Sequence, residues 1–107
     1  MFTRVVEVTT KPGKARELSR TITDKVLTIL KNQPGFVDEV VLISNENPDH
    51  ILALSFWKTR EDAEKYNREQ FTNVTDLIRN FSEGKPKVQT FEVESSTIQK
   101  IAAGRAA

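Results

Sequence analysis

Four residues in one stretch could build a binding pocket: Trp57, Tyr66, Asn67 and Phe71. The rings offer flat apolar walls for an aromatic molecule. The indole N–H, the Tyr66 hydroxyl and the Asn67 amide could hydrogen-bond an oxygen held between them. Such a set could grip a flat molecule and stabilise negative charge developing on it. Each residue also has a plainer use. A Trp at a strand end, and a Tyr and a Phe at helical spacing, serve as core; Asn67 beside Tyr66 can face water. The pattern names no catalytic residue.

Other chemistries find less support. His50 is the single histidine and would be the first choice as a base. It sits beside Asn47-Pro48-Asp49 in a turn cluster, so it is expected at the surface. There is no cysteine. One histidine without cysteine makes a poor transition-metal site. No carboxylate spacing recommends Mg²⁺ or Ca²⁺, and no metal is expected. Arg4, Asp38 and Glu39 lie on predicted strands, where charges usually reach water. Any of them that faced the helices would become a pocket candidate, because a buried charge needs a partner. The charged run from Lys58 to Lys65 reads as a solvated helix face. No Gly-rich phosphate loop and no Ser-His-Asp arrangement is present.

Hydrophobic periodicity shows which elements must position these residues. Phe2 to Thr9 reads as a strand and Lys11-Pro12-Gly13 breaks it. Ala15, Leu18, Ile22, Val26, Ile29 and Leu30 mark one face of a helix. Gln33-Pro34-Gly35 ends it. Phe36 to Ser44 is a strand apolar on both faces, and Ile51 to Trp57 is its hairpin partner across a polar turn. Thr59 starts a second helix, with Asp62 three residues on as an imperfect capping box. Ala63, Tyr66, Phe71, Val74, Leu77, Ile78 and Phe81 continue it, with a kink or break expected at Glu69-Gln70. Ser82 to Lys87 reads as a loop and Val88 to Ser95 as the last strand. The domain is expected over residues 1–96. Residues 97–107 form an Ala-rich tail, either frayed or a short helix.

The order βαββαβ predicts an α+β, ferredoxin-like fold: a four-stranded antiparallel sheet with both helices on one face. The other face is then bare, at roughly 400 Å² for strands of this length. Apolar patches of that size are unusual on a monomer. A second copy is the expected cover. The alternative is a monomer whose tail lies over the sheet, but that tail is short and mostly Ala.

The chain has 107 residues, 16 basic and 15 acidic, interspersed and summing to +1. Its length fits one domain. No basic stripe offers an electrostatic footprint for nucleic acid. No apolar run approaches the ~20 residues that span a bilayer. No secretory signal is evident, and a cytoplasmic location is the default expectation.

Several motifs together resemble the antibiotic biosynthesis monooxygenase family of dimeric α+β barrels. They are Lys11-Pro12-Gly13 before the first helix, Pro34-Gly35 before the second strand, and Phe56-Trp57-Lys58-Thr59-Arg60-Glu61-Asp62-Ala63 before the second helix. The resemblance covers Phe2 to about Ser96. It implies a homodimer with facing sheets and a pocket between sheet and helices in each subunit. Some members of the family oxidise aromatic phenols to quinones without flavin or metal, some degrade haem, and others process quinols. Residues of the haem-degrading branch would fall near Val5 or Val6, at Tyr66, and near Thr75 or Asp76; none matches. The imidazole needed to hold the iron is missing.

What the resemblance implies is therefore oxygenation of an aromatic or quinol-like small molecule without a cofactor. An electron-rich phenolate can pass an electron to O₂ by itself. The protein must hold the ring, favour its deprotonation and stabilise charge. The alternative is a non-enzymatic, small-molecule-binding or stress-associated dimer whose aromatics are simply core. A cavity of ~300 Å³ or more with inward polar groups would favour binding, and a filled interior the alternative. An isomerase on the same barrel type would need an acid–base pair at the pocket, and none can be named from the sequence.

Overall fold

A computed structural model describes residues 1–101. Four strands, β1 (Phe2–Thr10), β2 (Phe36–Ile43), β3 (His50–Trp57) and β4 (Ser82–Glu92), form one antiparallel sheet in the order β2-β3-β1-β4. Helical segments α1 (Ala15–Thr21), a π-helical turn (Ile22–Val26) and α2 (Leu27–Lys31) run on without a gap between β1 and β2. Helices α3 (Arg60–Glu69) and α4 (Phe71–Ile78) fill the second crossover. This is the ferredoxin-like arrangement expected from the element order.

The core lies between one sheet face and the helices. Val8 and Ile51 from the sheet meet Leu18, Ile22, Val26, Ala63, Val74 and Ile78 from the helices. The helix break falls at Gln70, as the spacing predicts. Its φ of −124° is off the helical value, and Phe71 starts a new helix.

The sheet differs from the expectation at its β4 edge. Ser82 to Lys87 is not a loop: it already pairs with β1, and the strand ends at Glu92 rather than Ser95. The register slips between Glu7 and Thr9, whose partners are Lys87 and Glu83. The slip accommodates Gly84, with φ of +70°, and Pro86. A Pro without an N–H is tolerable here because β4 is an edge strand.

The tail reaches the outer face of the sheet. Ile101 is only 2% exposed and packs with Val37 and Phe56 on the face away from the helices. One end of that face is thus covered by the chain itself. Farther along, Leu42 and Phe91 remain 47% and 50% exposed. The rest of the tail, residues 102–107, lies outside the described residues.

Gly35 locks the hairpin strands to α3. Its φ is +78°, its carbonyl accepts from the Lys58 N–H at 2.8 Å, and a Cβ there would sit 2.0 Å from Asp62 Oδ2. Asp62 cannot simply yield. Its N–H donates to the Thr59 hydroxyl at 3.1 Å, and that hydroxyl donates to its Oδ2 at 2.9 Å. We predict that Gly35→Ala destabilises the fold by about 2–3 kcal/mol, combining left-handed backbone cost with a damaged cap. Gly13→Ala, at φ +75° with open space around it, should lose only about 1–2 kcal/mol. Equal urea midpoints for the two variants would contradict this account.

Candidate functional site

Register fixes the floor of the site. Arg4 on β1 lies opposite Thr90 on β4 and Ser55 on β3, and Ser55 lies opposite Glu39 on β2. Opposed residues share a face of a sheet. Thr90, Arg4, Ser55 and Glu39 therefore form one polar row across the helix-facing side. The row above it is Val88, Val6, Ala53 and Val41, and the row below is Glu92, Phe2, Trp57 and Phe36.

A bulge puts Glu39 in that row. Phe36 pairs with Trp57 and Asp38 with Phe56, so β2 carries one extra residue between them. Strict alternation from Phe36 would send Glu39 to the outer face. The extra residue reverses the parity. Val37 then packs on the outer side with Phe56, while Val41 packs against the helix-side core.

Above the row the helices leave a narrow cavity. Its walls include Val6, Ile22, Val26, Tyr66, Phe71 and Val74, and its polar groups come from Arg4, Glu39, Ser55 and Tyr66. Water-sized space inside is about 40 Å³, within an envelope of about 490 Å³ that includes the open mouth. That is far below the ~300 Å³ of a typical ligand pocket. The π-helical turn contributes Ile22 and Val26, and the break at Gln70 contributes Phe71. Both helix irregularities thus border the cavity.

Arg4 is the unusual group. It is only 4% exposed. Its Nη1 donates to Asn67 Oδ1 at 3.0 Å, and its guanidinium carbon lies 4.7 Å from the Phe71 ring centre and 5.4 Å from that of Tyr66. Such stacking partly replaces lost hydration. No carboxylate pairs with it among the described residues. Its Nε and Nη2 are buried without a hydrogen-bond partner there. Burial lowers its pKa, opposed by the Tyr66 hydroxyl. Burial pushes the Tyr66 hydroxyl up to about 12; Arg4 pulls it down and Glu39 pushes it further up. Burial, then the neighbouring Asp38, raises Glu39 to about 7.

The residues singled out from the sequence are distributed as follows. Tyr66 and Phe71 line the cavity, with ring centres 6.3 Å apart. Asn67 does not line it but holds Arg4 from the side, at a separate groove that also includes Phe2 and Thr90. Trp57 is fully buried behind Tyr66, 5.0 Å from its ring, and its indole N–H donates to the Ser55 hydroxyl at 2.9 Å. It braces the wall and does not form it. His50 is half-buried, its Nε2 3.0 Å from Glu7 Oε1 but not aligned for a hydrogen bond. Its register partner is Thr9, on the outer face and away from the cavity. Arg4 and Glu39 are the cavity's charged groups. Arg4 could have been picked out by parity, since Phe2, Arg4, Val6 and Val8 alternate with the other face. Among the described residues, no group of three or more His, Asp or Glu is placed to hold a metal ion.

The family model described as antibiotic biosynthesis monooxygenase matches residues 1–74. No curated protein sequence matches the chain. Solved structures share its fold. The cofactor-independent oxygenase SnoaB from Streptomyces nogalater superposes with TM-score 0.74 at 16% identity, covering 91% of this chain and 96% of that one. The ActVA-Orf6 monooxygenase of Streptomyces coelicolor, solved with nanaomycin D, gives TM-score 0.77 at 15% identity, covering 91% and 90%. A conserved protein from Methanosarcina mazei gives 0.69 at 21%, covering 86% and 92%. Identities this low carry the fold and not the activity.

Glu39 makes stability depend on pH. Its folded pKa, about 7, exceeds its ordinary value of 4.5, so the folded state holds the proton more tightly. Between those values the folded state binds more protons, and stability must fall as pH rises through about 4.5 to 7. We predict that Glu39→Gln removes this decline. Denaturation midpoints at pH 5 and pH 8 measure it; a variant with the same decline as the parent would contradict the assignment.

Proposed function

Since the chain belongs to the antibiotic biosynthesis monooxygenase family, we propose that it oxidises an electron-rich aromatic or quinol-like molecule with O₂, without a cofactor, in the cavity between sheet and helices. The observation that carries this reading is a polar row, buried Arg4 and Ser55 with half-buried Glu39, beneath apolar walls that include Tyr66 and Phe71.

The chemistry asks for a base, and Glu39 supplies one. Its pKa of about 7 suits proton removal near neutrality. Once deprotonated, the substrate passes an electron to O₂. Where the oxidised carbon bears hydrogen, as in an anthrone, the resulting radical and superoxide combine there as a peroxide, and loss of water leaves the quinone, with one oxygen atom in the product and one in water. A quinol instead gives its quinone with both oxygen atoms leaving as H₂O₂. The groups in the cavity stabilise the anion in a poorly hydrated space, where charge interactions are strong.

A substrate of three fused rings does not fit about 40 Å³. Admission requires α4 to move, and the helix break at Gln70 is the place where it can. The small closed volume is also what favours a second reading, a non-enzymatic or stress-associated protein whose aromatics are core. Incubating the protein with anthrones and quinols under O₂ separates the two. The oxygenase reading expects quinone product with a rising pH limb near 7, and a loss of about 10²-fold or more in Glu39→Gln. No product above a heat-killed control would leave the second reading standing.

The assembly proposed is a homodimer joined through the outer sheet face. Its support is the exposure of Leu42 and Phe91 beside half-buried Val5, Leu52 and Leu54. Light scattering at micromolar concentration should give about twice the 12.2 kDa chain mass, and Leu42→Lys with Phe91→Lys should reduce it. A parent mass of one chain would reject the dimer.

A further inference from the structure

One edge of the Arg4 guanidinium is unused. Arginine carries five N–H donors in a rigid fork. Only Nη1 has a partner, Asn67. The two nitrogens left over, Nε and Nη2, lie side by side on the same edge of the group. They are buried and have no partner among the described residues. Burying unmet donors of a charged group is costly. This edge matches the two parallel oxygens of a carboxylate, which arginine binds through paired N–H···O bonds.

The surroundings fit one kind of molecule. Arg4, Glu39, Ser55 and Tyr66 are the polar groups, and the walls from Val6, Ile22, Val26, Phe71 and Val74 are apolar. A ligand with a charged head and an apolar body satisfies both parts. A neutral apolar ligand would leave the Arg4 edge unmet. A ligand with several charges would bury some of them against Val and Ile.

We propose that the cavity, opened by the same movement of α4 that any ring-sized ligand requires, binds a small apolar or aromatic monocarboxylate, with its two oxygens on Nε and Nη2 of Arg4 and its body against Phe71 and Val26. The proposal rests on the cavity assigned above and narrows its ligand to a carboxylic acid. Glu39 then faces the bound anion. Because that glutamate keeps its proton to about pH 7, binding is strongest on the acid side, where the side chain is neutral and repels nothing. Tyr66, with its pKa raised, stays neutral as well. Arg4, Glu39 and Tyr66 are the titratable groups lining the cavity.

The test is anaerobic calorimetry at pH 6 with three probes: 2-naphthoate, its neutral alcohol 2-naphthylmethanol, and 2,4-dinitrophenolate. The wild-type protein should bind the carboxylate at least tenfold more tightly than the alcohol. Arg4→Gln should bring that preference below twofold. Arg4→Lys keeps the charge but not the fork, and should lose most of the preference. If Arg4→Gln does not fold, the wild-type Nε–H resonance of Arg4 serves instead; it should shift with naphthoate and not with the alcohol. Equal binding of acid and alcohol, no binding of either at millimolar concentration, or an unchanged preference in Arg4→Gln would overturn the proposal. Dinitrophenolate binding as tightly as naphthoate would overturn the carboxylate assignment in favour of a single-oxygen anion. The absence of O₂ separates this outcome from turnover. Acid preference without any oxidation in air rejects the oxygenase reading alone, and oxidation without acid preference rejects this proposal alone.

Discussion

A guanidinium is held inside the layer between sheet and helices, and much of the site follows from that one burden. A buried charge loses its hydration and must recover it from neighbours. Arg4 recovers part of it from Asn67 on α3 and part from the faces of Phe71 and Tyr66. No carboxylate pairs with it among the described residues. The helices therefore present aromatic and amide groups above β1 in place of a continuous aliphatic lid. The gap that results is the cavity.

Three departures from regular backbone surround that gap. The β2 bulge turns Glu39 inward. The π-helical turn sets Ile22 and Val26 on one wall, and the break at Gln70 lets Phe71 start a new helix against Arg4. Bulges and π-turns each spend regular hydrogen bonding to re-aim a side chain. Their convergence on one small volume, beside a polar row, marks this part of the fold as specialised. Leu18 and Ile51, both fully buried, show the regular aliphatic packing of other parts of the core.

The architecture was readable from the sequence because its signals are local. Helical spacing from Ala15 to Leu30 placed the first helical run, the Asn-Pro-Asp cluster placed the hairpin, and the irregularity at Glu69-Gln70 placed the helix break. Tyr66 and Phe71 stood out for the same reason. The charged floor was harder. Arg4 sits on the buried parity of β1, yet a lone charge on a strand more often reaches water. Glu39 depends on the bulge, and counting alternation from Phe36 puts it on the wrong side. For Trp57 the sequence leaves wall and core both open, because spacing along the chain does not say that Tyr66 lies in front of it. The start of β4 looked like a loop since Gly84 and Pro86 are turn residues, which an edge strand tolerates. Ile101 closing over Val37 and Phe56 is a contact between distant parts of the chain, beyond any local pattern.

The central claim is that Arg4 and Glu39 face the helices together, in one poorly hydrated row. A carbon-detected NMR titration of the Glu39 side-chain carboxyl tests this most directly. The account predicts a midpoint near 7. A midpoint at the ordinary 4.5 would mean that Glu39 faces water. The strand would then be paired in another register, and the polar row would not exist.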